Sequence, residues 1–320
     1  MLRSPLFLPG RAFRYDVRAA LSSATQPNHA NPLELVKLEP LMQLSSGRIE
    51  TTIALIDGPV AITHPDLASA RIREIPGRLT GTCAQADSLA CMHGTFVAGI
   101  LCAKRGSAAP AICPNCTLLV RPIFAEGESI GHMPSTTPEE LATAIIDSVE
   151  SGAHVINLSA ALIHPYSKAE RKLKEALDYS ARRGVIVIAA AGNQGTLGST
   201  TITRHPWVIP VAACDPRGRP INNTNLGSAI GRRGLSAPGQ AIKGLVTDGK
   251  QITFGGTSAA APFITGAIAL LWSEFPLAIA TEVKTAVTRV LRRATIVPPL
   301  LDAWAAYQLM MTNRATRRAS

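Results

Sequence analysis

Residues 137–159 read TPEELATAIIDSVESGAHVINLS, and residues 182–193 read RRGVIVIAAAGN. The first stretch opens with a helix start. Thr137 can cap, Pro138 suits the first helical position, and Glu140 can complete a capping box. Gly152 is a natural C-terminal glycine for that helix. His154 to Ser159 then reads as a strand. Ser167 and Glu170 form a second capping box, opening a helix that runs to Gly184, and Val185 to Ala191 is the next strand. Strands that are apolar throughout and alternate with helices over short links specify a parallel sheet buried between helices on both faces.

The same pattern extends both ways from this core. Upstream, Ile49 to Ile56 is a strand that becomes wholly apolar at its end. His93 to Lys104 is a helix with Phe96, Val97, Ile100 and Leu101 on one face, and Leu118 to Phe124 is a further strand. Downstream, Trp207 to Cys214 is another strand. Ser258 opens an apolar helix through Trp272, and its small residues Ala259, Ala260, Ala261, Gly266, Ala267 and Ala269 suit close packing at the centre of the molecule. Thr281 is read as the cap of a following helix, and Leu300 to Met311 as the last one. Pro32 to Leu44 is a short helix broken at Pro40. The chain divides into an N-terminal segment, 1–46, a main α/β domain, 47–311, and a loose basic tail, 312–320.

Hydrophobic residues make up 46% of the 320 and aromatics only 4%, so the core must be built from Ala, Val, Ile and Leu. The net charge of +10 is carried largely at the ends, by Arg3, Arg11, Arg14 and Arg18 and by Arg314, Arg317 and Arg318. No basic helix is interleaved with aromatics, so the sequence predicts no nucleic-acid partner. No apolar run reaches the ~18 residues of a membrane span, and the Leu6–Leu8 run is too short for a secretory signal. A cytoplasmic protein without a membrane partner is the expectation.

Four polar residues stand at the ends of these elements. Asp57 follows Leu55–Ile56, where the carboxyl ends of parallel strands gather functional groups. A carboxylate there can orient an imidazole and stabilise its charged form. His93 opens a helix in Met92-His93-Gly94-Thr95. Ser258, in Gly255-Gly256-Thr257-Ser258, sits where a helix N-terminus favours developing negative charge. Asn193, in Ala191-Gly192-Asn193, can donate its amide to an oxyanion together with the Ser258 N–H. Each also has a plain reading: a turn aspartate or asparagine, an ordinary histidine, or a serine cap with Thr257 as competitor. Their chain order, Asp…His…Ser, is that of one of the known triad arrangements.

These motifs resemble the subtilisin-like (peptidase S8) serine proteases. Further similarities are His64-Pro65-Asp66-Leu67, Val155-Ile156-Asn157-Leu158-Ser159 and Ser236-Ala237-Pro238-Gly239. The resemblance spans Gly47 to Met311 and implies a three-layer subtilisin-like fold. It implies hydrolysis of peptide bonds through an acyl-enzyme, with Asp57, His93 and Ser258 as triad and Asn193 in the oxyanion hole. Ser159, Ala160, Ala161 and Gly192 would bind substrate. Asp57-Gly58-Pro59-Val60, His93-Gly-Thr-Phe-Val-Ala-Gly-Ile and Arg121-Pro122-Ile123-Phe124 are similar, more narrowly, to the cyanobactin maturation proteases, which cut leader peptides from ribosomally made precursors. A peptide or protein substrate, such as a precursor peptide, is the implied partner.

The sequence also departs from the family pattern. The stretch before Asp57 reads as too short for the usual folding prosegment, so that either none is needed, or it was removed, or residues 1–46 serve a smaller role. Ala160-Ala161 replaces Leu-Gly, and Ala259 replaces a frequent Met. No cofactor is required by the implied chemistry. A calcium ion would suit the family, but acidic spacing marks no site and no metal ligand is assigned. The alternative class is a catalytically silent fold that binds peptides, and four filled chemical positions argue against it. An esterase is disfavoured because no Gly-x-Ser-x-Gly elbow is present.

The cysteines need a separate reading. Cys113-Pro114-Asn115-Cys116 is a CxxC, with Cys83, Cys91 and Cys102 upstream and Cys214 far downstream. The CxxC reads as half a zinc site or a redox motif, but the upstream spacings match no zinc pattern, and a redox CxxC would open a helix whereas this one precedes a strand. Local disulfides, free thiols, zinc and plain core cysteines stay open, although a reducing compartment disfavours disulfides.

Overall fold

The computed structural model describes residues 31–127, 136–159, 169–249, 251–288 and 295–319. The strands are β1 (Thr52–Asp57), β2 (Arg71–Glu74), β3 (Thr117–Pro122), β4 (Val155–Leu158), β5 (Ile186–Ala190), β6 (Val208–Cys214) and β7 (Leu235–Pro238). They form one parallel sheet in the order β2-β3-β1-β4-β5-β6-β7. The short β8 (Ile242–Leu245) and β9 (Gln251–Phe254) pair antiparallel beside it.

Side chains that alternate along these strands feed two cores, as strand geometry requires. Ile53 and Leu55, Leu118 and Val120, and Ile186 and Ile188 enter one core; Ala54 and Ile56, Leu119, and Val187 and Ala189 enter the other. Helices α3 (Leu89–Cys102) and α8 (Thr257–Glu274) cover the first face. Helices α4 (Pro138–Glu150) and α5 (Ala169–Arg182) cover the second. Three layers with a mainly parallel sheet are the architecture expected. Helix α8 is buried from Thr257 to Ser273, and its alanines let it lie close to α3 and across β4 to β7.

Capping chemistry accounts for most of the element boundaries. Thr137 accepts from Glu140 N–H, as expected. The Glu140 carboxylate turns instead to Arg121, so the capping box is only half made. Ser88, not the residue before His93, starts α3, because its hydroxyl accepts from Cys91 N–H. Ser167 lies outside the described residues. The N-terminal segment holds α1 (Pro32–Leu35) and α2 (Leu38–Leu44). The break falls at Lys37, with φ of +51°, rather than at Pro40. Pro40 sits in the first turn of α2, where a missing N–H costs nothing. The turns α6 (Thr201–Arg204) and α7 (Ser228–Arg233) link the later strands.

Two C-terminal readings are corrected. Helix α9 (Ala280–Thr288) begins before Thr281, and Ile279 N–H is capped by Glu282. Helix α10 runs unbroken from Ala303 to Ala319, so residues 312–319 are helical rather than a loose tail. Asp302 caps it through Ala305 N–H.

Arg121 is a large polar side chain inside this fold, 1% exposed at the end of β3. Its guanidinium donates to Asp147 at 2.9 Å, to Glu140 at 2.9 Å and to the Pro122 carbonyl at 2.8 Å. It stacks against Gly77, where a Cβ would meet Cζ at 2.5 Å. Arg121 therefore pins α4 to the end of β3, the strand between β2 and β1. Arg121→Ala is expected to lower the unfolding free energy by about 3–5 kcal/mol, the range for breaking a buried ion pair, as measured by urea denaturation.

Candidate active site

The direction of chain crossovers reverses at β1. Its neighbours are β3 on one side and β4 on the other. In open parallel sheets such a switch point leaves a crevice beyond the carboxyl ends of the strands. Asp57 is the last residue of β1 and is fully buried at that point. Its Oδ1 lies 2.6 Å from His93 Nδ1 and accepts the Gly58 N–H at 2.7 Å. A carboxylate acceptor fixes Nδ1 as the protonated nitrogen, which leaves Nε2 with its lone pair.

His93 does not open α3 but sits in its second turn, 3% exposed. Two glycines permit the close approach. A Cβ on Gly58 would fall 2.0 Å from the Ala90 carbonyl oxygen, and one on Gly94 would fall 2.3 Å from the Pro59 carbonyl oxygen. Phe254 and Phe96 back the imidazole, with ring centroids 6.2 and 6.5 Å away.

Ser258 is the second residue of α8, whose cap position is Gly256, at φ of +109°. The reading of Ser258 as a simple cap is thereby excluded. Among the described residues its buried hydroxyl has no hydrogen-bond partner. An N–H in the first turn of a helix has no intrahelical acceptor. The positive end of α8 thus presents both the Ser258 hydroxyl and its N–H, and α8 packs directly on α3.

Asn193 lies beside this turn. Its Oδ1 accepts from Thr257 N–H at 2.8 Å and from the Thr257 hydroxyl at 3.1 Å. A backbone N–H can only donate, so the amide orientation is fixed and Nδ2 is left as a donor. Nδ2 lies near Gly256, where a Cβ would come within 2.8 Å of it.

Two residues that support the site were not singled out from the sequence. Thr257, weighed there only as a rival helix cap, links Asn193 to Gly192, whose N–H it accepts at 3.1 Å. Asn225 accepts from Gln194 and Thr196 N–H and donates to the Ala191 carbonyl, framing the loop that carries Asn193. Its only signal was the polar run Asn222-Asn223-Thr224-Asn225.

Of the expected substrate-binding residues, Ser159 lies at the end of β4, and its hydroxyl accepts from Asn157. Gly192 spends both backbone groups within the protein, on Thr257 and on Asn225 N–H. Its N–H is therefore not available to a substrate, while its carbonyl keeps a second lone pair. Ala160 and Ala161 lie outside the described residues. A cavity of about 710 Å³ borders Gly255 and Gly256, lined also by Asn222, Asn223, Gln240 and Thr253.

The cysteines divide in an unexpected way. Cys83 and Cys91 form a disulfide, while Cys102, Cys113, Cys116 and Cys214 are free and buried. Burial pushes the Cys102 and Cys214 thiols up to about 12. A hydrogen bond between Cys113 and Cys116 raises the first and lowers the second. Among the described residues, the one close group of three metal-ligating side chains is Cys83, Cys91 and Glu126, and its two sulfurs are bonded to each other.

A parallel sheet with a buried aspartate–histidine pair at its switch point and a serine at a facing helix N-terminus defines the subtilisin class of α/β proteins. The chain belongs to the Subtilase family, whose model matches residues 48–301. It is 32% identical over 243 residues to a thermophilic serine proteinase of Bacillus sp. (strain AK1), covering 72% of this chain and 54% of that protein. The chain thus spans about half the length of this relative. Among solved structures, the protease domain of PatA is similar at a TM-score of 0.77 and 30% identity, covering 83% of this chain and 97% of that one. The prenylagaramide maturation protease PagA is similar at 0.73 and 27%, covering 85% and 98%.

Thr257→Val keeps the side-chain shape and removes the hydroxyl that accepts from Gly192. The buried N–H would lose its partner, so stability is expected to fall by about 1–3 kcal/mol, as followed by thermal unfolding.

Proposed function

We propose that this chain is a serine endopeptidase and that its substrate is a ribosomally made precursor peptide from which it removes a leader. The observation that carries the chemical part is the buried 2.6 Å contact between Asp57 and His93, with the buried Ser258 hydroxyl on the adjoining helix. Asp57 holds the imidazole in one tautomer and stabilises it when charged. His93 Nε2 takes the Ser258 proton as the oxygen attacks the peptide carbonyl, then gives it to the leaving amine. Asn193 Nδ2 and the Ser258 N–H receive the developing oxyanion. Water, activated by the same imidazole, releases the acyl-enzyme. No cofactor enters these steps.

Ser159 and Gly192, near the ends of β4 and β5, are proposed as substrate contacts, and the family resemblance proposes Ala160 and Ala161 beside Ser159 in sequence. The narrower substrate class is supported by the likeness to PatA and PagA, since PagA is a maturation protease and nearly the whole of each solved chain is covered. Among the described residues no helix is long and apolar enough to cross a membrane, in keeping with a substrate met in solution.

The test is incubation of the purified chain with precursor peptides that carry a leader, read by mass spectrometry. One defined cleavage at the leader–core boundary, lost in Ser258→Ala, is expected. Cleavage scattered along the peptide would leave a general peptidase, and none in the folded protein would overturn the reading. Asn193→Ala should lower turnover by about 10²–10³-fold, the range known for loss of one oxyanion donor in subtilisin, in a steady-state assay of the same cleavage.

A further inference from the structure

We propose that the Cys83–Cys91 disulfide is a positioning element that clamps the Asp57–His93 pair, so that turnover depends on its oxidation state. The proposal rests on the peptidase reading above.

The two sulfurs join the two sides of a closed ring of contacts around the pair. On one side Val60, three residues after Asp57, is bridged to the strand-like segment at Thr82. Val60 N–H donates to the Gly81 carbonyl at 2.9 Å, and Cys83 N–H donates to the Val60 carbonyl at 3.3 Å. On the other side Cys91 lies in the first turn of α3, two residues before His93. The disulfide joins Cys83 to Cys91 across a Cα separation of 5.5 Å. The ring then runs from Asp57 to Val60, across hydrogen bonds to Cys83, across the sulfurs to Cys91, along α3 to His93, and back through the 2.6 Å contact. Along the same seam, the carbonyls of Ala90, Gly58 and Pro59 leave no room for a methyl group on Gly58 or Gly94. A small shift of α3 would therefore act directly on the imidazole.

The loop itself has other anchors. Glu126 accepts from Ala84 and Gln85 N–H and from the Ser88 hydroxyl, and the Thr247 hydroxyl donates to the Ala86 carbonyl. Losing the disulfide should leave the loop, the Ser88 cap and the bond from Ala61 N–H to the Thr95 hydroxyl in place, and remove only the covalent tie that holds Cys91 against the Val60–Cys83 segment. The covalent loop spans a sequence separation of only 8, and short loops restrict the unfolded chain least. Its effect should fall on geometry more than on global stability. Cys83 is half-buried among exposed neighbours, so a small reductant can reach it, while Cys91 is buried. A dithiol reductant would transfer two electrons and two protons, leaving Cys83 and Cys91 as thiols and itself as a cyclic disulfide.

The experiment compares oxidised chain, chain reduced with dithiothreitol, and Cys83→Ser/Cys91→Ser. Steady-state kinetics on one peptide substrate are measured at a temperature where circular dichroism shows each form folded. The low-field proton NMR resonance of the His93 Nδ1–H is recorded on the same samples. Reduction is expected to lower kcat on the order of 10–100-fold with KM little changed, the size of a sub-ångström to ångström misplacement. The double variant should match the reduced chain and ignore the reductant. The low-field resonance should broaden or move in both. Equal kcat and an unmoved resonance in the folded reduced chain would overturn the proposal. So would a reduced chain that is unfolded at every temperature, since the disulfide would then hold the fold rather than the pair. An oxidised chain with no Ser258-dependent activity would instead sink the peptidase reading, and the NMR comparison would still judge the clamp.

Discussion

The hydrogen bond between Asp57 and His93 is the contact around which the rest of the molecule is arranged. A carboxylate that is fully buried must be paired or it would not remain charged. Here it is paired with an imidazole from a different element, so strand β1 and helix α3 must meet within the length of two side chains. That demand explains why the sheet places β1 at its switch point. It also explains why no side chain is tolerated on Gly58 or Gly94.

A second constraint follows from the first. Helix α8, which carries Ser258 in its first turn, packs on α3 from the same side of the sheet. A run of small residues lets α8 lie close enough to α3 for this. The helix then has three separate duties. It fills the core, it points the positive end of its dipole into the crevice, and its first turn presents Ser258. Thr257 ties this turn to Asn193 and Gly192, which joins the start of α8 to the loop after β5. Each strand that contributes does so at its carboxyl end, which is why the active groups cluster although they are scattered over some 200 residues of sequence.

Much of this was legible in the sequence. The alternation of strand and helix gave the parallel sheet, because apolar runs bounded by capping residues leave few other arrangements. Asp57, His93, Asn193 and Ser258 stood out because each lies in a glycine-containing motif at or near the end of an element. The misreadings have local physical causes. Pro40 looks like a helix breaker but sits in a first turn. Residues 312–319 look too basic and polar to be ordered, yet Asp302 caps a helix that carries through them. The start of α3 was misplaced because Ser88, the true cap, lies in a polar stretch that hides it. Thr257 and Asn225 were missed because their importance lies in hydrogen bonds to distant chain segments, which no spacing reveals. The Cys83–Cys91 bond was equally hidden beside the more conspicuous CxxC.

The most direct test of the central claim is labelling of the purified chain with a fluorophosphonate, followed by peptide mapping. The account predicts one adduct, on Ser258, formed much more slowly in His93→Ala. An adduct on another residue, or none in well-folded protein, would contradict it.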